Sequence, residues 1–278
     1  MVERARAELV ADCARCFALC CVALPFTASA DFAIDKAAGQ PCPNLLADFR
    51  CGIHDRLRPE GFPGCVAFDC FGAGQRVSRE TFAGVDWRSQ SDGGRAMFEV
   101  FPVVRQLHEL LWYLADVRAI PAANELRGAL DELAARIDRL ASGNPAELRE
   151  LDVPALRAEV SPLLLRASEL ARAGVRGRKK DRRGADLLGA NLRAADLRGV
   201  SLRGACLIAA DLRGADLRSA DVLGADLRDA RLAGADLRDS LFLTRAQLDA
   251  ARGDANTRLP AQLARPTHWL GATDADSP

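Results

Sequence analysis

The chain has 278 residues, with 38 basic and 38 acidic side chains and a formal net charge of zero. That balance excludes the global basic footprint of a general nucleic-acid or polybasic membrane binder, so any partner must be chosen by local surface. No apolar run approaches the roughly 18 residues of a membrane span, so no membrane is expected, and the length leaves room for more than one domain.

Eight of the nine cysteines fall in the first quarter, at Cys13, Cys16, Cys20, Cys21, Cys42, Cys51, Cys65 and Cys70. Residues 1–87 are therefore expected to form a Cys-rich module of loops that needs cross-links. The run "CFALCCVALPFTASA" ends on an A-x-A step at Ala28, Ser29 and Ala30, like a secretory signal. Before it, however, Glu3, Glu8 and Asp12 offset Arg4, Arg6 and Arg15, and cleavage would discard four of the clustered cysteines. The segment is expected to be retained and the protein to be cytoplasmic.

"CARCFALCC" opens with a C-x-x-C step, which lets two thiolates converge on one ion. Eight thiolates would complete two tetrahedral Zn sites or hold Fe or Fe-S clusters, and soft sulfur ligands exclude Mg and Ca. Disulfides and inert buried thiols are the competing readings; without a signal the compartment argues against disulfides. His54, three residues after Cys51, is a further candidate ligand, an outer hydrogen-bond donor, or a surface imidazole. The stretch "PCPNLLADFRCGIHDRLRPEGFPGC", Pro41 to Cys65, resembles the CxxCxxCC family of domains to which zinc or iron chelation is ascribed. The opening departs from that family by placing three residues rather than two before the Cys pair, which leaves open whether Cys20 or Cys21 is the ligand.

"FGAGQ", Phe71 to Gln75, is no dinucleotide fingerprint, because the third glycine and a βαβ frame are missing. With three histidines in the chain and no G-x-S-x-G, P-loop or H-E-x-x-H, no nucleophile and base can be paired, and no catalytic or cofactor-binding residue is assigned.

"RSQSDGGR", Arg88 to Arg95, reads as a polar hinge, and residues 96–174 as an α-helical region. Leu107, Leu110, Leu111, Leu114 and Val117 form one apolar stripe, Pro121 interrupts, and Leu126, Leu130, Leu133, Ile137 and Leu140 form a second. His108 beside Leu107 reads as structural. "SGNP", Ser142 to Pro145, stops the second helix. Asp152 and Ser161 are expected N-caps ahead of Pro154 and Pro162, with Pro162 breaking the last stretch into two short helices. The stripes are expected to pack in an intramolecular bundle. Residues 175–184, carrying "RGRKKDRR", read as a solvated basic linker.

From Ala185 to Thr244 twelve pentads follow without a gap. Their centres run Leu187, Leu192, Leu197 and onward to Leu237 and Phe242, all apolar, and two residues before each centre stands a small residue. A chain that turns every five residues points one large and one small side chain inward per side, and four sides close a square coil of about twenty residues. Alanine is required because a larger residue would overpack the axis. The phrases "ADLRG", "ANLRA" and "ADLRD" resemble the pentapeptide-repeat family, which implies a right-handed quadrilateral β-helix. Residues 245–270 are expected to cap it, and residues 271–278 to fray. Cys206 replaces an outward Asp as a lone thiol.

Well-known members of that family mimic duplex DNA and inhibit type II topoisomerases, which needs an acidic face. Here Asp186, Asp196, Asp211 and Asp216 alternate with Arg193, Arg198, Arg213 and Arg218, so an ion-paired neutral surface is expected and DNA is not the expected partner. The expected function is a non-enzymatic metal-binding scaffold or protein-interaction module holding Zn, with Fe or Fe-S as the alternative and an unidentified protein as partner. Redox or iron-dependent modification by the cysteine cluster is the second reading, topoisomerase inhibition the third.

Overall fold

The computed structural model describes residues 6–176 and 181–270. They fall into two compact units, one taking in the residues up to Cys65 with Asp69–Ala167, the other Val66–Phe68 with the residues from Ser168 onward. The cysteine-rich segment and the helices after it thus share one unit, with no division at Arg88 to Arg95. That stretch is pinned by side chains: Asp86 accepts from the amides of Arg88 and Ser89, and Asp92 from those of Gly94 and Ala96.

The cysteine-rich segment carries the short α-helices α1 (Leu19–Val22), α2 (Pro63–Val66) and α3 (Ala73–Arg76), a π-helix at Val77–Thr81 and 3-10 turns such as Cys13–Arg15 and His54–Arg56, among irregular turns. Longer helices follow: α4 (Arg95–Arg118), α5 (Arg127–Ala141), α6 (Pro145–Arg149) and α7 (Val153–Ala173). The stripe of α4 is buried at Leu107, Leu110, Leu114 and Val117 and extends upstream through Met97, Val100, Phe101 and Val104. It packs on α5, whose Leu130, Leu133 and Ile137 are buried. After α5, Asn144 caps α6 in a capping box with Glu147, and Pro145 takes the first helical position, where a missing N–H is harmless.

Two expectations fail at Pro162. The residues from Val153 to Ala173 form one helix with Pro162 inside it, and Ser161 is no cap but donates its Oγ to the carbonyl of Arg157 (2.8 Å). Ser161, Pro162 and Ala158, whose carbonyl loses its amide partner, are all exposed, so water can satisfy that carbonyl. The opposite face buries Val153, Leu156, Val160, Leu164 and Ala167. At about 1.5–3 kcal/mol per large side chain, that face outweighs the ~3 kcal/mol of an interior proline. Asp152 does cap the helix, accepting from the amide of Ala155 (3.0 Å).

In the second unit every bridge of the coil proper joins a residue to the one twenty positions on, in parallel, from Asp181–Ser201 to Asp221–Leu241. The coil therefore begins inside the expected linker. Arg182 takes the place of a central Leu at its open edge, and residues 177–180 lie outside the described residues. Among the described residues the coil has isolated bridges and no extended strand, because a corner follows each bridge. Each corner is a four-residue turn, as where the amide of Ala215 donates to the carbonyl of Leu212 (3.0 Å). Its third residue has positive φ, 66° at Gly214 and 56° at Ser219, which explains the small final residue of the pentad. From Leu197 to Phe242 all ten pentad centres are buried, as are Ala205, Ala210, Ala215 and Ala220 beside them.

Past Thr244 the ladder continues out of phase. Helix α8 (Arg245–Ala250) is opened by a Thr244–Gln247 capping box, and Gln247 Nε2 donates to the carbonyls of Val222 (2.9 Å) and Ala225 (2.8 Å). Arg252 and Arg258 then bridge to Arg231 and Asp236. Trp269 is buried and donates to the carbonyl of Ala251 (3.2 Å), covering this end of the core. The expected frayed tail, 271–278, lies outside the described residues.

Candidate metal centre

The loop that carries Cys13 and Cys16 is clamped onto α3 and the turn after it. Gln75 Oε1 accepts from the amide of Asp12 (3.0 Å) while its Nε2 donates to the carbonyl of Val10 (2.8 Å). Ser78 Oγ accepts from the amide of Phe17 (3.0 Å), Arg79 donates to the carbonyl of Arg15 (3.0 Å), and the Trp87 indole to that of Phe17 (3.0 Å). This brings Cys16 against the "FGAGQ" stretch. A Cβ on Gly74 would stand 2.6 Å from Cys16 Sγ and 3.9 Å from Cys70 Sγ, and one on Gly72, at φ 76°, would collide with the Glu8 carbonyl oxygen. Both glycines are thus demanded by close approach to the cysteine loop, a role their spacing did not disclose.

A second group assembles around Cys21. The amide of Cys42 donates to the carbonyl of Cys21 (2.9 Å), and Cys51 bridges to Leu45 across a tight hairpin, which returns Cys51 beside Cys42.

Electrostatics sorts the thiols the same way. Cys16 is pushed up to about 11, by burial first, with the Cys70 thiol adding to it, and Cys70 is raised by burial and, among smaller effects, by Cys13. Cys65 is pushed up to about 12 by burial and by Cys21, Cys42 and Cys51; Cys51 is raised by burial, then by Cys21 and Cys42. Cys16, Cys20 and Cys70 act on one another, as do Cys21, Cys42, Cys51 and Cys65, while Cys13 acts on Cys70 but is itself raised by burial and then by Cys21. The first set is therefore Cys16, Cys20 and Cys70 with Cys13 at its edge, the second Cys21, Cys42, Cys51 and Cys65. They meet at Cys20 and Cys21, whose sulfurs are 3.9 Å apart; the hydrogen bond between them holds Cys20 up and Cys21 down.

Nearby backbone amides pull four thiols down against the burial that raises them: Leu19 and Ala18 at Cys16, Gly74 and Gly72 at Cys70, Asn44 at Cys42, Ile53 at Cys51. N–H groups aimed at sulfur stabilise the thiolate over the thiol. Each set has two such sulfurs.

All nine cysteines are free thiols. Among the described residues no group of three or more His, Cys, Asp or Glu is gathered tightly enough to hold an ion as the side chains stand. The donor chemistry nonetheless fits a thiophilic ion: sulfur-only sets, local amide donors, and raised thiols that an ion would deprotonate on binding. A χ1 change redirects a cysteine sulfur without moving the backbone. His54 lies exposed on the turn after Cys51. His108 is buried on α4, its Nδ1 2.7 Å from the carbonyl oxygen of Phe71, and burial pulls it down to about 4. Cys206 sits alone in the coil, its backbone bridged to Asp186 and Asp226.

On the coil the aspartates and arginines pair at two-residue spacing. Arg213 Nε and Nη2 fork onto Asp211 (2.8 and 2.6 Å), and Arg218 does the same to Asp216 (2.9 and 2.6 Å). No helix among the described residues is long and apolar enough to cross a membrane.

The period of the coil is shared with a known family. The pentapeptide-repeat family model matches this chain in eight copies, over residues 183–214 and 205–242. Over 265 residues the chain is 58% identical to the uncharacterized protein YybG of Bacillus subtilis (strain 168), covering 94% of this chain and 95% of that protein. The chain therefore belongs to the same family as YybG, along a span that reaches well beyond the repeats. A crystal structure of a pentapeptide repeat protein from Nostoc Pcc 7120 is 32% identical, covering 31% of this chain and 78% of that one, with a TM-score of 0.14.

Proposed function

We propose that this protein is a non-enzymatic metal-binding scaffold. The N-terminal cysteines hold two Zn ions in two sets of four thiolates, with Fe or an Fe-S cluster as the alternative load, as the resemblance to CxxCxxCC domains implies. On this reading both Cys20 and Cys21 are ligands, one in each set. The coil is a right-handed quadrilateral β-helix that presents a rigid surface to a protein partner, in the cytoplasm.

What supports the reading is the gathering of eight thiols into one segment, Cys21, Cys42, Cys51 and Cys65 acting on one another and Cys16, Cys20 and Cys70 doing the same, with Cys13 linked to Cys70 and to Cys21. Its test is metal analysis of protein purified without reductant or chelator, with an optical spectrum. About two equivalents of Zn and a colourless solution are expected from two four-thiolate sites. Less than one equivalent of Zn or Fe, with eight titratable thiols, would sink it. Charge-transfer bands from iron would instead favour the redox reading. The paired Asp and Arg on the coil do not favour duplex mimicry, and a supercoiling assay is expected to show no inhibition.

A further inference from the structure

Lys36 is a buried cation beside the second thiol set. Its exposure is 6%, and its Nζ donates to the carbonyls of Val22 (3.1 Å), Ala37 (3.1 Å) and Gln40 (2.9 Å), with the Phe26 ring centroid 5.4 Å away. Two of these acceptors belong to the chain that carries the thiols: Val22 follows Cys21, and Gln40 lies two residues before Cys42. The strand-like pairing of Lys36 with Phe26 fixes its backbone (2.8 and 3.0 Å).

Three carbonyls satisfy the three donors of an ammonium but leave its charge uncompensated, and a buried unpaired charge is strongly unfavourable. The charged neighbours that act on Lys36 are Cys42, Cys21 and Cys20, with no carboxylate among them. Four thiolates around a divalent ion carry two excess negative charges, which is the complement a buried ammonium lacks. Among the groups that act most strongly on Cys13, Cys16 and Cys70 there is no cation.

We propose that Lys36 is the countercharge of the metal site formed by Cys21, Cys42, Cys51 and Cys65, a positioning residue that makes this the tighter of two unequal sites. This rests on reading the cysteines as metal ligands. The test strips the full chain of metal, reloads it with Zn2+, and follows competition by a chelator. Wild type is expected to release Zn2+ in two steps, with Cys51→Ser identifying the step of the second set. Lys36→Met should weaken that step by roughly 10-fold or more, the range for residues supporting metal ligands, and the other step, which it reaches only through Cys20, by less. Lys36→Arg, which keeps the charge, should restore it.

Unchanged affinity in Lys36→Met overturns the countercharge. So does equal weakening of both steps without rescue by Lys36→Arg, the signature of a packing role. Failure of the wild type to take up Zn2+ overturns the metal reading and this proposal together, whereas two Zn2+ bound with Lys36→Met unchanged overturns this one alone.

Discussion

The repeat coil and the cysteine-rich segment both order a chain that has little helix, and they do so by opposite means. In the coil each side repeats its neighbour: a buried Leu, a buried Ala and a bridge twenty residues on. Stability there is a sum of near-identical steps between adjacent turns. The cysteine-rich segment has two isolated bridges of its own, Phe26–Lys36 and Leu45–Cys51, and relies on single side chains that each tie distant backbone. Gln75 and Lys36 each engage three backbone groups. Repetition spreads the load, whereas one-off clamps concentrate it, so damage should be graded in the coil and abrupt in the cysteine-rich segment.

If the cysteines hold Zn as proposed, the largest expected effect follows from removing it. Calorimetry of Zn-loaded protein should resolve the two units, and chelation should lower the transition of the first by about 10 °C or more, since metal binding and folding free energy are coupled. The coil transition should stay in place. If both move together, the units do not fold independently and the contrast fails.

Next comes the coil itself. Leu212 is fully buried, and Leu212→Ala should destabilise this unit by about 2–5 kcal/mol. Ala215→Leu should destabilise it by about 1–3 kcal/mol through overpacking. Neither should change Zn content. Loss of metal in either variant would show that the coil supports the cysteine sites.

His108 gives the first unit an acid sensitivity in a window above that of the coil aspartates Asp196, Asp211, Asp216 and Asp236, which their arginines hold below the ordinary carboxylate range. Buried and neutral, it titrates at about 4 in the folded chain against an ordinary 6.5, so the unfolded chain binds its proton first. The stabilisation is complete above pH 6.5 and is lost as pH falls toward 4, by about 3 kcal/mol in all. Asp116, pushed up to about 6 by burial despite Arg6, works the other way, because below pH 6 the folded chain takes up its proton first. Denaturant melts of wild type and His108→Gln across this window isolate the imidazole. Identical slopes would refute its role.

A smaller effect is expected at Gly74. A Cβ there would lie 2.6 Å from Cys16 Sγ, so Gly74→Ala should displace the sulfur and weaken Zn2+ at the first set by about 10-fold, leaving the second set and the coil unaltered. Equal weakening of both sets would mean that the glycine supports the whole segment.

Gly74 also marks where reading the sequence stops. The coil was legible in phase and residue because its physical constraint recurs every five positions: each buried Leu, such as Leu212, and each corner residue, such as Gly214, repeats a requirement already seen. The stripes of α4 and α5 were legible for the same reason, at the helical period. What failed was non-periodic. Pro162 was read by local propensity, and burial of the opposite face overrode it. The exception is Asp181 and Arg182, which stand in pentad phase but lie in a run whose basic composition masks the repeat. The cysteine spacing suggests soft ligands, but the placing of the Cys13–Cys16 loop depends on a clamp by Gln75 and Ser78 from more than sixty residues away. The two glycines of "FGAGQ" have meaning only once that clamp is in place.

The smallest effect belongs to the most conspicuous letters of the repeat. Asp216 and Arg218 form a forked ion pair (2.6–3.2 Å), and the Arg218 amide donates to Asp216 Oδ1 (3.1 Å). Such pairs at a solvated surface contribute little, because water and salt screen the attraction and two long side chains must be held still. The amide bond is a different matter, since it closes the corner of the pentad and asks only for an oxygen. Asp216→Asn keeps that oxygen and loses the charge; Asp216→Ala loses both. The Asn variant should melt within a few degrees of wild type at any salt, and the Ala variant below it. Equal melting of the two would mean that the charge, rather than the corner, is what the repeated Asp supplies. The contrast with the cysteine-rich segment would then narrow, because both regions would depend on side-chain electrostatics.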